Sequence, residues 1–345
     1  MTIASGNRRV ARSHNPRMPG SKVRTPTSAL PARPDPLPGT ALARLVAKKA
    51  IGEPIVMVTA YDYASAQVAE AAEVDAVLVG DSAAMTVLGY ASTVSVSMDE
   101  MLMLASAVRR GLKTPLMVGD MPFGSYEMSN EQAVLGAQRF IKEAGCDAVK
   151  IERGGTSVER ARAIVAAGIP VMGHVGLTPQ TVTALGGYRA QGRTADCALN
   201  ITRDALALQE AGCFALVVEA VPIEVTAALM PHIHVPVIGI GAGAATDGQV
   251  LVFHDLLGMH DGHTARFVQR YRNVRQEMID GVKAFGADVR ARRYPEPKHG
   301  YHMMPNEVGR LQARLADMLP RKDRAGGNGH SPPLPATPLG FRRSR

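Results

Sequence analysis

The sequence contains no tryptophan, and aromatic residues make up only 4% of its 345 positions. So few aromatic rings argue against the stacking platforms on which proteins hold single-stranded nucleic acid. Only three cysteines are present, too few for a disulfide framework, which favours a reducing compartment. No apolar run reaches the roughly 18 residues that a membrane helix needs, so we expect no membrane span. With 46% hydrophobic and 20% charged residues, the chain is expected to form a large core.

Acidic residues are also missing, but only from the beginning of the chain. The first 34 residues hold seven Lys or Arg and no acid, and residues 321–345 hold six against one acid. Although the whole chain carries +8, removing these two segments leaves 26 basic and 30 acidic residues, a formal charge of −4. We therefore predict disordered basic tails over 1–37 and 321–345. We expect no nucleic-acid partner, and an accessory binding role of the tails is the alternative.

The N-terminal tail lacks the apolar segment of a secretory signal. We therefore expect a cytoplasmic protein. The alternative is an organelle-targeting peptide, because such peptides are also basic, contain Ser and lack acids.

Between the tails, short apolar runs alternate with Ala-rich amphipathic segments. Eight runs are predicted to be strands, namely 55–59, 75–79, 115–119, 147–151, 170–174, 214–218, 236–240 and 250–253. Because most of these runs are apolar throughout, the pattern indicates a parallel sheet buried on both faces. Eight such units in about 250 residues predict an α/β fold, a (β/α)8 TIM barrel over 38–304. A helix at 39–50 is expected to close its bottom, and a C-terminal helix is predicted over 305–320.

Acidic side chains stand where three of the predicted strands end. Asp81, Asp120 and Glu152 follow strands two, three and four, and in this fold the C-terminal strand ends carry the reactive groups. Any one of these acids alone would be more simply explained as a loop cap or a surface salt bridge. Three on successive strands need a cation between them, and oxygen ligands favour Mg²⁺.

Further candidate residues lie at the C-terminal ends of strands four to seven. Lys150 shares a strand face with Glu152 and is a candidate for binding a substrate carboxylate. Glu219 ends strand six, is expected on the opposite side of the barrel from the three acids, and is a candidate general base. His174 either bonds a substrate oxygen or is structural. The glycine run 239–243 resembles a phosphate loop, but tight packing of the rim backbone explains it more simply.

Nine stretches stand in order between about 39 and 300: Thr59–Asp62, Val79–Ser82, Asp120–Tyr126, Val149–Glu152, Gly173–Gln180, Gly187–Arg193, Val218–Pro222, Gly239–Gly243 and His254–Gly258. Together they resemble the ketopantoate hydroxymethyltransferase family. One departure is Arg153, which stands after Glu152 where the family usually reads Glu-Gly-Gly.

The resemblance implies a Mg²⁺-dependent barrel enzyme of pantothenate biosynthesis. Such an enzyme transfers a hydroxymethyl group from 5,10-methylenetetrahydrofolate, its co-substrate, to 3-methyl-2-oxobutanoate, and an enolate intermediate leads to 2-dehydropantoate. The resemblance also implies a homo-oligomer, typically a decamer.

Three roles can be assigned on this basis. The resemblance implies Asp81, Asp120 and Glu152 for the metal, Ser82, Asp120 and Lys150 for the oxoacid, and Glu219 as proton acceptor. Asp81 and His174 are further candidates for binding the oxoacid. The alternative activity is that of a Mg²⁺-dependent 2-oxoacid or phosphoenolpyruvate-type C–C lyase, which would share the barrel, metal and enolate but would not need folate.

Overall fold

The computed structural model describes residues 39–262 and 264–318. These residues form two compact units, divided between Tyr271 and Arg272. The predicted tails and the last two residues of the predicted helix 305–320 lie outside the described residues. Across the described ranges, none of the helices combines the length and apolar character needed to cross a membrane.

Eight parallel strands form the first unit and close into a barrel in sequence order, which confirms the predicted fold. They are β1 (Ile55–Thr59), β2 (Ala76–Val79), β3 (Leu116–Asp120), β4 (Ala148–Glu152), β5 (Val171–Gly176), β6 (Ala215–Glu219), β7 (Val237–Ile240) and β8 (Gly248–Leu251). Most bounds differ from the predicted ones by one or two residues. The shifts make Asp120, Glu152 and Glu219 the last residues of their strands.

Helices follow most of the strands. In the first unit they are α1 (Ala41–Ile51), α2 (Tyr63–Ala71), α3 (Ala83–Thr86), α4 (Met98–Gly111), α5 (Asn130–Lys142), α6 (Thr156–Ala166), α7 (Val182–Leu185), α8 (Ala195–Glu210), α9 (Ile223–Leu229) and α10 (Phe253–Leu257). The second unit contains α11 (Val274–Arg290) and α12 (Pro305–Met318). Helix α12 begins where the C-terminal helix was predicted.

Helix α1 closes the bottom of the barrel, as predicted. Its Leu45 is buried in the cluster that fills the barrel interior. At the end of the helix, Lys48 pairs with Asp75 at 3.0 Å and Lys49 pairs with Asp247 at 2.7 Å. Asp75 directly precedes β2 and Asp247 directly precedes β8, so the ion pairs fix α1 to the N-terminal ends of these strands.

Alternate strand residues point into the barrel, because side chains along a strand alternate between its faces. The inner cluster comprises Leu45, Ile55, Met57, Ala76, Leu78, Leu116, Val118, Ala148, Met172, Ala215, Val217, Ile238, Ile240 and Val250. These apolar layers fill the barrel from its bottom to just below the C-terminal rim. Any polar residue that continues the same alternation at the rim is therefore buried on an apolar floor.

The glycine run after β7 is a site of close packing. Gly241 has a φ of 64°, and a Cβ there would lie 2.4 Å from Phe267. Gly243 has a φ of 85°, and a Cβ there would lie 2.6 Å from Ile223. The tight-packing interpretation of residues 239–243 therefore matches the structure.

Candidate active site

The inward alternation of the strands brings polar residues together at the C-terminal rim. Asp120 lies two residues after the inward Val118 on the same strand face, and His174 likewise lies two residues after Met172. Lys150 and Glu152 lie two and four residues after Ala148. The strand register then sets neighbours side by side, with Asp120 beside Lys150 and Glu152 beside His174. One polar layer thus lies on top of the apolar interior.

Lys150 is the buried cation of this layer. Its Nζ lies 2.7 Å from Oδ1 of Asp120, 3.6 Å from Oε1 of Glu152 and 3.3 Å from Nδ1 of His174. Burial is the largest influence and would lower the pKa of Lys150, but the charges of Asp120, Glu152 and Asp81 together outweigh burial and raise the pKa. Lys150 therefore remains charged although its side chain is only 3% exposed.

Asp81 lies two residues beyond the end of β2 and joins the same group. Its backbone N–H donates to Oδ2 of Asp120 at 3.1 Å, and its side chain is buried. We call Asp81, Asp120 and Glu152 the acid cluster. Sequence reasoning predicted these three residues to converge, and the structure brings them together.

His174 connects the acid cluster to Glu219. Its Nδ1 lies 3.4 Å from Oε1 of Glu152, and its Nε2 lies 3.3 Å from Oε2 of Glu219. Burial and Lys150 lower the pKa of His174, but its bonds to Glu152 and Glu219 prevail and raise that pKa to about 9. The imidazole is therefore charged at neutral pH and bridges two carboxylates.

The expected position of Glu219 across the barrel from the acid cluster was wrong. One imidazole ring separates it from Glu152, because β5 carries His174 between β4 and β6. The side chain of Glu219 is 16% exposed, whereas the three acids and His174 are each 4% exposed or less. Glu219 thus combines contact with the buried charges and access to the rim.

Gln180 links two members of the acid cluster, and sequence reasoning assigned it no role. Its Nε2 donates to Oδ2 of Asp81 and to the carbonyl of Met121, both at 3.0 Å, and its backbone N–H donates to Oε2 of Glu152 at 3.1 Å. Tyr126 donates its hydroxyl to Oε1 of Gln180 at 2.7 Å and accepts from the backbone of Glu152. Both residues lie in stretches that the family resemblance already marks, which was the available signal.

Ser82 is placed by a buried tyrosine. The hydroxyls of Ser82 and Tyr61 are 2.8 Å apart, and Tyr61 is 1% exposed. Burial raises the pKa of Tyr61 to about 12, so the phenol stays protonated. Ser82 follows Asp81 directly and therefore lies at the edge of the acid cluster.

Arg153, the departure from the family pattern, does not displace Glu152. It adopts a left-handed backbone with a φ of 76°, and its N–H donates to the carbonyl of His174 at 2.8 Å. Glu152 remains the last residue of β4, opposite His174.

The charges of the acid cluster are incompletely balanced by the protein. Burial, followed by the charges of Asp120 and Glu152, raises the pKa of Asp81 well above its usual range. Burial would also raise the pKa of Glu152, but Lys150 and His174 outweigh burial and lower it. A carboxyl in the position of Asp81 becomes a favourable anion only when another cation lies beside it.

The donors of the acid cluster fit a hard cation such as Mg²⁺. All are carboxylate oxygens, the ligands that Mg²⁺ prefers. Within residues 39–262 and 264–318, no three Asp, Glu, His or Cys side chains are arranged to hold an ion by themselves. Mg²⁺ commonly takes only one or two protein carboxylates and fills its octahedron with water and substrate oxygens, so the arrangement still fits.

The site can therefore perform two operations. A small anionic substrate can bind where Lys150 and a cation at the acid cluster supply positive charge. Glu219, beside it and reachable from the rim, can accept a proton.

Comparison of the sequence with known proteins identifies one family, both by a family model and by individual relatives. The sequence model of the family described as ketopantoate hydroxymethyltransferase matches residues 40–297. The 3-methyl-2-oxobutanoate hydroxymethyltransferase of Geobacillus kaustophilus (strain HTA426) is 48% identical over 259 residues, which are 75% of this chain and 93% of the relative. The protein of that name from Carboxydothermus hydrogenoformans is 48% identical over 263 residues, 76% and 95% of the two chains.

Comparison with solved structures identifies the same fold. A phosphonopyruvate hydrolase superimposes with a TM-score of 0.51 at 14% identity, covering 82% of this chain and 99% of the other. A phosphoenolpyruvate phosphomutase from Streptomyces platensis subsp. rosaceus gives 0.50 at 16% identity, covering 82% and 100%. At these identities the likeness concerns the barrel alone.

Proposed function

Since the chain belongs to the ketopantoate hydroxymethyltransferase family, we propose that it transfers a hydroxymethyl group from 5,10-methylenetetrahydrofolate to 3-methyl-2-oxobutanoate. The product is 2-dehydropantoate, and the reaction belongs to pantothenate biosynthesis. The observation that carries this proposal is one contact chain at the rim. It runs from Lys150 and the acid cluster through His174 to Glu219.

We propose that Asp81, Asp120 and Glu152 hold Mg²⁺. Mg²⁺ held by these residues would supply positive charge that stabilises the negative charge developing on the keto oxygen when C3 of the oxoacid loses its proton. The raised pKa of Asp81, caused by burial and by its acidic neighbours, supports this proposal because a cation would relieve both effects.

The protein's own residues bind the oxoacid and move its proton. Lys150, charged and fixed by Asp120, attracts the substrate carboxylate. The Ser82 hydroxyl, held by Tyr61, can donate to a substrate oxygen, as can the charged His174. Glu219 accepts the proton from C3, and this carbon forms a bond to the methylene carbon of the donor. Both C–N bonds of that methylene carbon break, one water supplies the hydroxyl group, and the two donor nitrogens take up the proton from C3 and the proton from water as tetrahydrofolate leaves.

A product assay tests the overall reaction. We expect 2-dehydropantoate to form from 3-methyl-2-oxobutanoate only when both methylenetetrahydrofolate and Mg²⁺ are added. Cleavage of an oxoacid at the same rate without the folate would refute the proposal and indicate the C–C lyase.

A variant of the general base tests the proton step separately. Glu219→Gln is expected to abolish deuterium exchange at C3 while Mg²⁺ and the oxoacid still bind, as measured by calorimetry. Glu224→Gln is the matched control, because Glu224 is an exposed glutamate five residues further along. Exchange at the wild-type rate in Glu219→Gln would remove Glu219 from this role.

We also propose that the protein assembles as a homo-oligomer, a decamer by family resemblance. Helix α11 supports assembly because it exposes an apolar stripe formed by Met278, Val282, Phe285 and Val289. Sedimentation velocity is expected to show a single large species, and a monomer at micromolar concentration would contradict the proposal.

A further inference from the structure

The segment 177–192 crosses the rim above the acid cluster, and we call it the arch. At its start, the Leu177 N–H donates to the carbonyl of Glu219 at 2.8 Å. Gln180 then reaches down to the acid cluster, as described above. At its end, the Gln191 N–H donates to the carbonyl of Ala220 at 2.9 Å. Both ends of the arch are thus tied to the end of β6, next to the general base.

Tyr188 lies on this arch, on the far side from its two anchors. Its hydroxyl is 3.8 Å from Sδ of Met85, which belongs to α3, the short helix that begins two residues after Asp81. The arch therefore reaches from β5 and β6 to the residues that follow β2. Gly186 and Gly187, with φ values of 74° and 109°, precede Tyr188 and give the chain the turn that this crossing requires.

The side chain of Tyr188 is influenced by the charges of the site but remains accessible to a ligand. Burial, followed by the charges of Asp81, Glu152 and Glu219, raises the pKa of Tyr188, so the phenol is neutral and lies within the field of three carboxylates. Yet the side chain is 54% exposed. Met85 beside it is also exposed, at 42%. The Tyr188 ring and the Met85 thioether thus lie side by side, with Met85 four residues after Asp81, and both keep surface free for contact.

The direction from which substrates arrive follows from the packing. Below the polar layer the barrel is filled by the inner cluster, and α1 closes its bottom. Both substrates must therefore enter from the rim. The oxoacid is small and charged and belongs among Lys150 and the acid cluster, whereas the one-carbon donor is larger, carries a planar conjugated pyrimidinone ring within its reduced pterin, and must lie above the oxoacid.

We propose that Tyr188 is a donor-binding residue, on whose ring the pterin of the folate packs while its methylene group reaches C3 of the oxoacid below. Planar conjugated rings, such as the pyrimidinone of the reduced pterin, gain affinity from packing on aromatic side chains, and the Met85 thioether adds a polarisable contact. The proposal rests on the proposed function, and it explains the stretch Gly187–Arg193, to which the reaction chemistry gave no role.

The test separates donor binding from the proton step. In Tyr188→Ala, the donor concentration for half-maximal product formation is expected to rise about ten- to a hundredfold, the range that alanine substitution removes from stacked rings. Calorimetry with tetrahydrofolate, in the presence of Mg²⁺, is expected to show the same loss of affinity. Deuterium exchange at C3 of the oxoacid, which needs no donor, is expected to stay within about twofold.

Two further variants complete the test. Tyr188→Phe keeps the ring and is expected to bind the donor almost as the wild type does, and Tyr301→Ala removes a fully exposed tyrosine as the matched control. Unchanged donor affinity in Tyr188→Ala would overturn the proposal. So would exchange lost in parallel with turnover, or a Phe variant as impaired as the Ala variant. A wild-type protein with neither exchange nor product would instead refute the proposed function.

Discussion

Replacing Lys150 by Met tests whether the polar layer depends on its buried cation. Methionine keeps the length and most of the volume of lysine, so the change removes the charge and leaves little cavity. The variant leaves the acid cluster buried, with His174 as the one cation still in direct contact with it among the described residues. The expected result is a folded protein of markedly lower stability.

The magnitude follows from three distances. At an effective dielectric constant of about 20, the attraction between Lys150 and Asp120 at 2.7 Å is worth about 6 kcal/mol. The attraction to Glu152 at 3.6 Å and the repulsion from the charged His174 at 3.3 Å are each about 5 kcal/mol and nearly cancel. Desolvation of the ammonium offsets part of the remainder. We therefore expect a loss of about 3–5 kcal/mol in the free energy of unfolding, the range found when one partner of a buried pair is removed.

Urea unfolding monitored by far-UV circular dichroism measures this loss, with Lys49→Met as control. Lys49 also pairs with an aspartate at 2.7 Å, but the side chains of Lys49 and Asp247 are 17% and 18% exposed. Solvent screening should limit the cost of Lys49→Met to about 1 kcal/mol. The difference between the two variants isolates the effect of burial at equal pair length.

The pH dependence has a definite sign. Burial raises the pKa of Asp120 in the folded protein. A carboxyl group with a raised folded-state pKa contributes to stability at low pH, and this contribution is lost as the pH rises through that pKa. Removing Lys150 raises the pKa of Asp120 further and removes the main influence that lowers the pKa of Glu152. The deficit of Lys150→Met should therefore be larger at about pH 8 than at about pH 5. A deficit equal to that of Lys49→Met and constant with pH would refute this account of the charges.

Two further predictions concern the metal and the packing. Asp81→Asn should raise the thermal midpoint of the metal-free protein, because it removes the carboxyl group whose charge is opposed by burial and by its acidic neighbours. It should also abolish the rise in midpoint that Mg²⁺ gives the wild type. Scanning calorimetry with and without a chelator measures both effects, and a lower metal-free midpoint in the variant would count against the prediction. Gly119→Ala should cost about 1–3 kcal/mol, because its Cβ would lie 2.4 Å from Phe140, whereas Gly281→Ala in α11, with nothing within 4 Å, should gain about 0.5–1 kcal/mol. Equal unfolding midpoints of these two variants in urea would contradict the packing argument.

The barrel and the acid cluster could be predicted from sequence because both depend on local rules. Alternation along β3 and β4 determines that Asp120 and Glu152 point inward once the neighbouring apolar residues do. The C-terminal strand ends of a parallel barrel share one rim, so their convergence needs no knowledge of the loops.

The connections between the acids could not be predicted in the same way. Gln180 reaches Asp81 because the backbone turns after β5, and no periodicity encodes that turn. The position of Glu219 was misjudged because strand order alone sets it far from β2, whereas the side chain of His174 bridges the gap to Glu152. Distances between side chains of different strands depend on rotamers, which a strand pattern leaves open.

The burial of the polar layer explains why so many neutral groups surround it. Water has little access to the carboxylates, so their oxygens must be satisfied by protein donors or by a cation. Lys150 and His174 supply charge, while Gln180 donates neutral N–H groups to Asp81 and Glu152 and is itself held by the Tyr126 hydroxyl, which donates to its Oε1. Neutral donors hold a carboxylate in place without cancelling its charge. Gln180 therefore fixes the geometry of Asp81 and Glu152 without neutralising either acid, and Asp81 can ionise when a divalent ion lies beside it.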